Sequence, residues 1–120
     1  MTTTEFTNGQ IALACWRAAK SELHSVMLAV CQTFVNRAKA QDRDLYEVCA
    51  EWLTENPGEF PDNRDPQLQQ MLVRLDRVIA GKIADKTDGA LWFVPKSQLE
   101  PGMLQAFTQT NTIGQMVFLK

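Results

Sequence analysis

The sequence has one histidine, one tyrosine and no surplus of positive charge, and each shortage removes a class of chemistry. A lone His24 cannot supply a multi-histidine metal site, and it leaves a Ser or Cys triad without its usual base unless it serves itself. A net charge of −2 gives no basic footprint for nucleic acid. No stretch approaches the roughly 18 consecutive apolar residues of a membrane span. Residues 1–15 lack both a basic n-region and a continuous apolar h-region. The expectation is a cytosolic start without a secretory signal, and delivery by a phage lysis or particle route if the target lies beyond the membrane. Cys15, Cys31 and Cys49 are odd in number, far apart and each set in an apolar helical pattern. They predict buried reduced thiols, with neither a disulfide framework nor a zinc set. No metal or organic cofactor is expected.

The 120 residues, 45% of them apolar, predict one compact domain spanning the whole chain. Thr7 or Asn8 is read as the cap of a first helix from Gln10 to Lys20. Ser25 caps a second, on which Met27, Val30 and Phe34 share a face and Asn36, Arg37 and Lys39 suit the C-terminal end. Asp44 caps a third, with Leu45, Val48, Cys49 and Trp52, closed by Asn56-Pro57-Gly58. Asp65-Pro66 opens a fourth with a buried stripe of Leu68, Met71, Leu72, Leu75, Val78 and Ile79, and Gly81 stops it. Ala90–Val94 predicts a short strand ended by Pro95, and Met116–Leu119 a second strand able to pair with it across a turn at Gly114. Leu99–Phe107 gives no clear signal. Helices first and a small antiparallel sheet last make an α+β, mostly helical domain.

Three segments carry a more specific pattern. Ala18-Ala19-Lys20-Ser21-Glu22 precedes an apolar helix ending in Asn36-Arg37. Asp85-Lys86-Thr87-Asp88-Gly89-Ala90-Leu91-Trp92-Phe93 follows, and Ile113-Gly114-Gln115-Met116-Val117-Phe118 closes the chain. Together they resemble the SleB-type family of cell-wall, spore-cortex-lytic hydrolases, over about residues 11–119. The resemblance implies a lysozyme-like or lytic-transglycosylase-like fold with a cleft between helices and a small sheet. It implies peptidoglycan as partner and, on the first helix, an acid that protonates the glycosidic oxygen. One carboxylic acid suffices when the sugar's own 6-hydroxyl attacks, because the same group then serves as acid and base, whereas ordinary glycosidases need a pair. Its pKa must be raised by apolar surroundings.

The family pattern Glu-x-x-Gly-Glu is altered here. The first Glu, the acid position, is Ala18, and the Gly is Ser21; the second Glu is kept as Glu22. Three explanations stand side by side: deliberate replacement of the acid, natural loss of catalysis, or transfer of the acid role to Glu22. Of the carboxylates, Glu22 is the one the sequence favours as acid, on the same helix face as residue 18 if the helix continues. The function expected is glycan-strand cleavage, with a non-catalytic glycan- or protein-binding component as the alternative. Trp92 and Phe93 alternate on the strand, so that one enters the core and the other is free to stack on a sugar ring; Trp92 is the candidate for substrate contact, with Phe60 as a cleft-wall or anchoring residue. Asn36 and Arg37 are candidates for holding the loop Glu55–Arg64 and shaping the cleft. Glu47, Glu51, Glu55 and Glu59 recur every four residues and are read as a solvated face. Asp85 and Asp88 are read as turn-formers, and His24 as a loop residue able to orient Glu22 only by a hydrogen bond.

Overall fold

In a computed structural model describing residues 2–120, four helices are followed by a three-stranded sheet. Helix α1 (Thr3–Ala19) starts seven residues before the expected Gln10. Thr2 supplies its cap, the hydroxyl accepting from Glu5 N at 3.1 Å, and Phe6 packs on Tyr46 with ring centroids 6.3 Å apart. Packing across helices thus overrides the weak helix preference of a Thr-, Asn- and Gly-containing segment. Helix α2 (His24–Ala40) follows Leu23, which makes no side-chain cap, so Ser25 lies inside the helix and His24 is its first residue. Helix α3 (Leu45–Glu55) is capped by Asp44, and helix α4 (Pro66–Ile79) by Asp65 with Pro66 in its first turn, both as the sequence predicts.

Helix α2 is the central column. Val26, Met27, Val30, Cys31, Thr33 and Phe34 are all buried on it. Ile11, Ala12, Ala14, Cys15 and Ala19 of α1, Val48 and Cys49 of α3, and Met71, Leu75 and Val78 of α4 complete the core. The stripe on α4 is narrower than expected: Leu72 and Ile79 lie on the exposed flank, because the residues that meet α1 and α2 are only those spaced along one line of the helix. Gly81, at φ +72°, ends the run after α4, a left-handed position that favours glycine.

Strands β1 (Trp92–Pro95), β2 (Gln109–Ile113) and β3 (Met116–Leu119) form an antiparallel sheet in the order β1-β3-β2. The predicted pairing of the two apolar strands is present, with Phe93 opposite Phe118 and Val94 opposite Val117. Strand β2, polar and irregular, carries no apolar signal of its own and joins β3 through the turn at Gly114, φ +59°. The ambiguous segment after β1 holds a single 3-10 turn, Lys96–Gln98, and the short helix α5 (Pro101–Ala106). All three thiols are free and buried. Burial pushes the Cys15 and Cys49 thiols up, and neighbouring Cys31 adds to it in both cases. Among the described residues, no helix is long and apolar enough to cross a membrane, and no group of His, Cys, Asp or Glu has the arrangement of a metal site.

Candidate functional site

A cleft of about 550 Å³ opens beside Ala18. Three elements build it. The end of α1 brings Arg17 and Ala18; the last turn of α3 and its exit bring Trp52, Glu55, Asn56 and Pro57; strand β1 and the 3-10 turn after it bring Phe93, Val94, Pro95 and Gln98. The floor is aromatic and rigidly supported. Phe34, 0% exposed on α2, meets Trp52 edge-on at 5.7 Å and Phe93 edge-on at 5.4 Å, while Trp52 and Phe93 lie 5.9 Å apart. Such offset and edge-to-face contacts are the favourable ones between rings. Glu55, Asn56, Gln98 and Arg17 set polar groups around that floor, and Glu55 is the one carboxylate in the lining.

Strand β1 is delivered to the cleft by a polar lock. Asp85 accepts from Thr87 N at 2.8 Å, Thr87 Oγ1 at 2.6 Å, Gly89 N at 3.1 Å and Asn36 Nδ2 at 3.0 Å. Burial alone would raise the Asp85 carboxyl, but the bonds from Thr87, Asn36 and Gly89 outweigh it and hold it below the ordinary value. The turn it ties uses two left-handed residues, Asp88 at φ 56° and Gly89 at φ 80°. Asn36 Nδ2 also donates to Ala90 O at 3.0 Å, and Arg37 Nε to Leu91 O at 2.9 Å. Asn36 and Arg37 therefore hold the approach to β1, and the expectation that they bind the loop Glu55–Arg64 is corrected. The sequence could not separate these partners, because both segments are turn-rich and polar.

Trp92 is not in the cleft. Alternation along β1 sends Phe93 to the cleft floor and Trp92 to the other face, where its ring lies 4.0 Å from the Arg37 guanidinium and 6.0 Å from Phe107. Phe60 is likewise outside it, 78% exposed, with the Arg17 guanidinium 5.2 Å from its ring centre.

Glu22 does not share the face of residue 18. Helix α1 stops at Ala19, and Glu22 N donates to Ala19 O at 3.0 Å in the turn that reverses the chain into α2. Its carbonyl accepts from Gln67 Nε2 at 2.7 Å. Its carboxylate lies against the β2–β3 turn, with Oε2 3.1 Å from where a Cβ on Gly114 would stand. His24 does not orient it, since both ring nitrogens are shielded and without a hydrogen-bond partner. Burial, with Arg74 nearby, lowers the His24 pKa. The acidic series divides as well: Glu51 pairs with Arg43 at 2.8 Å, Glu59 lies beyond the end of α3 and pairs with Lys20 at 2.6 Å, and Glu55 reaches the cleft.

Phe93, and not Trp92, is thus the member of the alternating pair that reaches the cleft, and Trp52, Glu55, Asn56 and Gln98 are cleft residues that sequence reasoning did not assign to it. Trp52 falls in the apolar stripe of α3 and looks like core; Gln98 and Asn56 carry no signal at all. Comparison with family profiles, curated proteins and solved structures gives no match to this chain.

Proposed function

We propose that this domain binds the glycan strand of peptidoglycan in a lysozyme-like cleft from which the proton donor is missing. The observation that carries the reading is the cleft itself, about 550 Å³, with an aromatic floor of Trp52 and Phe93, polar groups around it, and Ala18 where the resembling family has its acid. Flat apolar rings beneath and a few directed hydrogen-bonding groups around them suit a pyranose, which has apolar faces and a polar edge. Glu22 stands against Gly114 and not among the lining residues, so it is badly placed to take over the acid role. A methyl group at position 18 cannot protonate a glycosidic oxygen. A glutamate there would face aromatic surroundings that raise a carboxyl pKa, as the acid role demands.

A second reading keeps cleavage and moves the acid to Glu55. Its one support is that Glu55 is the carboxylate in the lining. A sedimentation and zymogram series on purified peptidoglycan separates the two. The binding reading expects the native chain to sediment with sacculi without releasing fragments, and Ala18→Glu to clear the gel. Clearing by the native chain that is lost in Glu55→Gln establishes the second reading, and the same loss in Glu22→Gln alone restores Glu22. A native chain that neither sediments nor clears refutes both.

A further inference from the structure

Beside the Ala18 cleft lies a second space of about 380 Å³, and the two share Arg17 and Pro57 in their walls. The strap joining α3 to α4 forms one wall of it, through Pro57, Gly58 and Phe60. The strap is anchored at each end: Asn56 N and Nδ2 both donate to Trp52 O at 2.9 Å, and Asp65 N donates to Asp62 O at 2.9 Å. Its middle, Pro57–Phe60, is exposed throughout. That middle is fastened to α1 by polar contacts. Arg17 Nε and Nη2 donate to Glu59 O at 3.1 and 2.9 Å, Arg17 Nη1 donates to Asn56 O at 3.3 Å, and Lys20 meets the Glu59 carboxylate at 2.6 Å. Gly58 lies close against the Arg17 side chain; a Cβ there would stand 3.3 Å from Cδ. Exposed contacts of this kind are individually weak, and segments held by them open at low cost.

We propose that Pro57–Phe60 is a lid at the junction of the two spaces, latched to α1 by Arg17 and Lys20, whose opening joins them into one trough along α1 for the same linear saccharide. The inference rests on the reading of the Ala18 cleft as a glycan site. The rest of the second space continues the chemistry of the cleft, apolar Leu13 and Leu53 with polar Gln10 and Thr54. Opening also frees the Arg17 fork from the strap carbonyls, and a guanidinium is suited to grip a carboxylate borne by the strand. A short saccharide needs only the first space; a long one needs the lid raised, so its apparent affinity is reduced by the fraction of molecules that are open.

The test compares the native chain with Glu59→Ala, which removes the Lys20 contact from an exposed position. Binding of the chito-oligosaccharide trimer and hexamer is measured by calorimetry, with 15N relaxation dispersion on the amides of residues 57–60, omitting Pro57. The lid predicts greater amplitude of exchange in Glu59→Ala, a trimer affinity unchanged, and hexamer binding tighter by about twofold to fivefold, the range of one surface ion pair. Equal changes for the two saccharides, or no change for the hexamer, overturns the lid while leaving the glycan cleft intact. Failure of the native chain to bind either saccharide overturns the cleft reading and the lid with it.

Discussion

Replacing Asp85 with alanine is the perturbation whose consequence can be worked furthest. Its carboxylate accepts four hydrogen bonds, two from backbone N–H groups of a turn with two left-handed residues and one from α2 through Asn36. A net hydrogen bond contributes about 1 kcal/mol and more when the acceptor is charged, but the turn is partly open, so its donors recover water when the carboxylate goes. The loss expected is about 2–3 kcal/mol, or about 10 °C in melting temperature for a domain of this size. Since β1 is delivered by this turn, the variant should also weaken saccharide binding through misplacement of Phe93. The pH dependence has a definite sign. The folded pKa lies below the unfolded value of about 3.9, so the contribution is present above about pH 4 and is lost as pH falls through the folded value. Stability measured by urea unfolding should therefore separate native and Asp85→Ala widely at neutral pH and converge in acid. A melting temperature lowered by less than about 2 °C, or a gap that widens in acid, refutes the reasoning.

Truncating Phe34 to alanine removes the support common to Trp52 and Phe93 and should cost about 3–5 kcal/mol in denaturant unfolding; a cost below about 1 kcal/mol would mean the aromatic cluster does not hold the cleft floor. Gly114→Ala places a Cβ at 3.0 Å from Val26 Cγ2 and 3.1 Å from Glu22 Oε2 in a left-handed position, for a loss of about 1–3 kcal/mol; the loss should be smaller in a Glu22→Ala background, and equality of the two losses contradicts the contact. The three buried thiols should react with a thiol reagent only as fast as the chain unfolds, and a thiol modified rapidly in the native protein would contradict their burial.

Local chemistry made much of the architecture legible. Asp44 and Asp65-Pro66 mark helix starts whose cap bonds are present, and the expected strand pair forms, although the first strand runs Trp92–Pro95, starting two residues later than expected and taking in Pro95 opposite Met116. Where local signals are weak, tertiary contact decides. The first helix gains its early turns from Phe6 on Tyr46, and β2 exists because β3 offers an edge to pair with. The site was less legible for a geometric reason. Helical spacing suggested that Glu22 follows residue 18 on one face, but the chain turns after Ala19. Alternation on β1 established that Trp92 and Phe93 part company without indicating which faces the cleft. Residues of the cleft come from α1, α3 and β1, segments far apart in the chain, and nothing in the sequence of Asn56 or Gln98 reveals that they meet beside Ala18.

The most direct measurement is chemical-shift mapping of the 15N-labelled chain titrated with soluble peptidoglycan glycan fragments. A saccharide site at the Ala18 cleft requires saturable shifts centred on the amides of Ala18, Phe93 and Gln98 and on the indole of Trp52, with the Trp92 indole little affected. No saturable shift, or shifts gathered around Trp92 and Phe107 on the opposite face of β1, would contradict it.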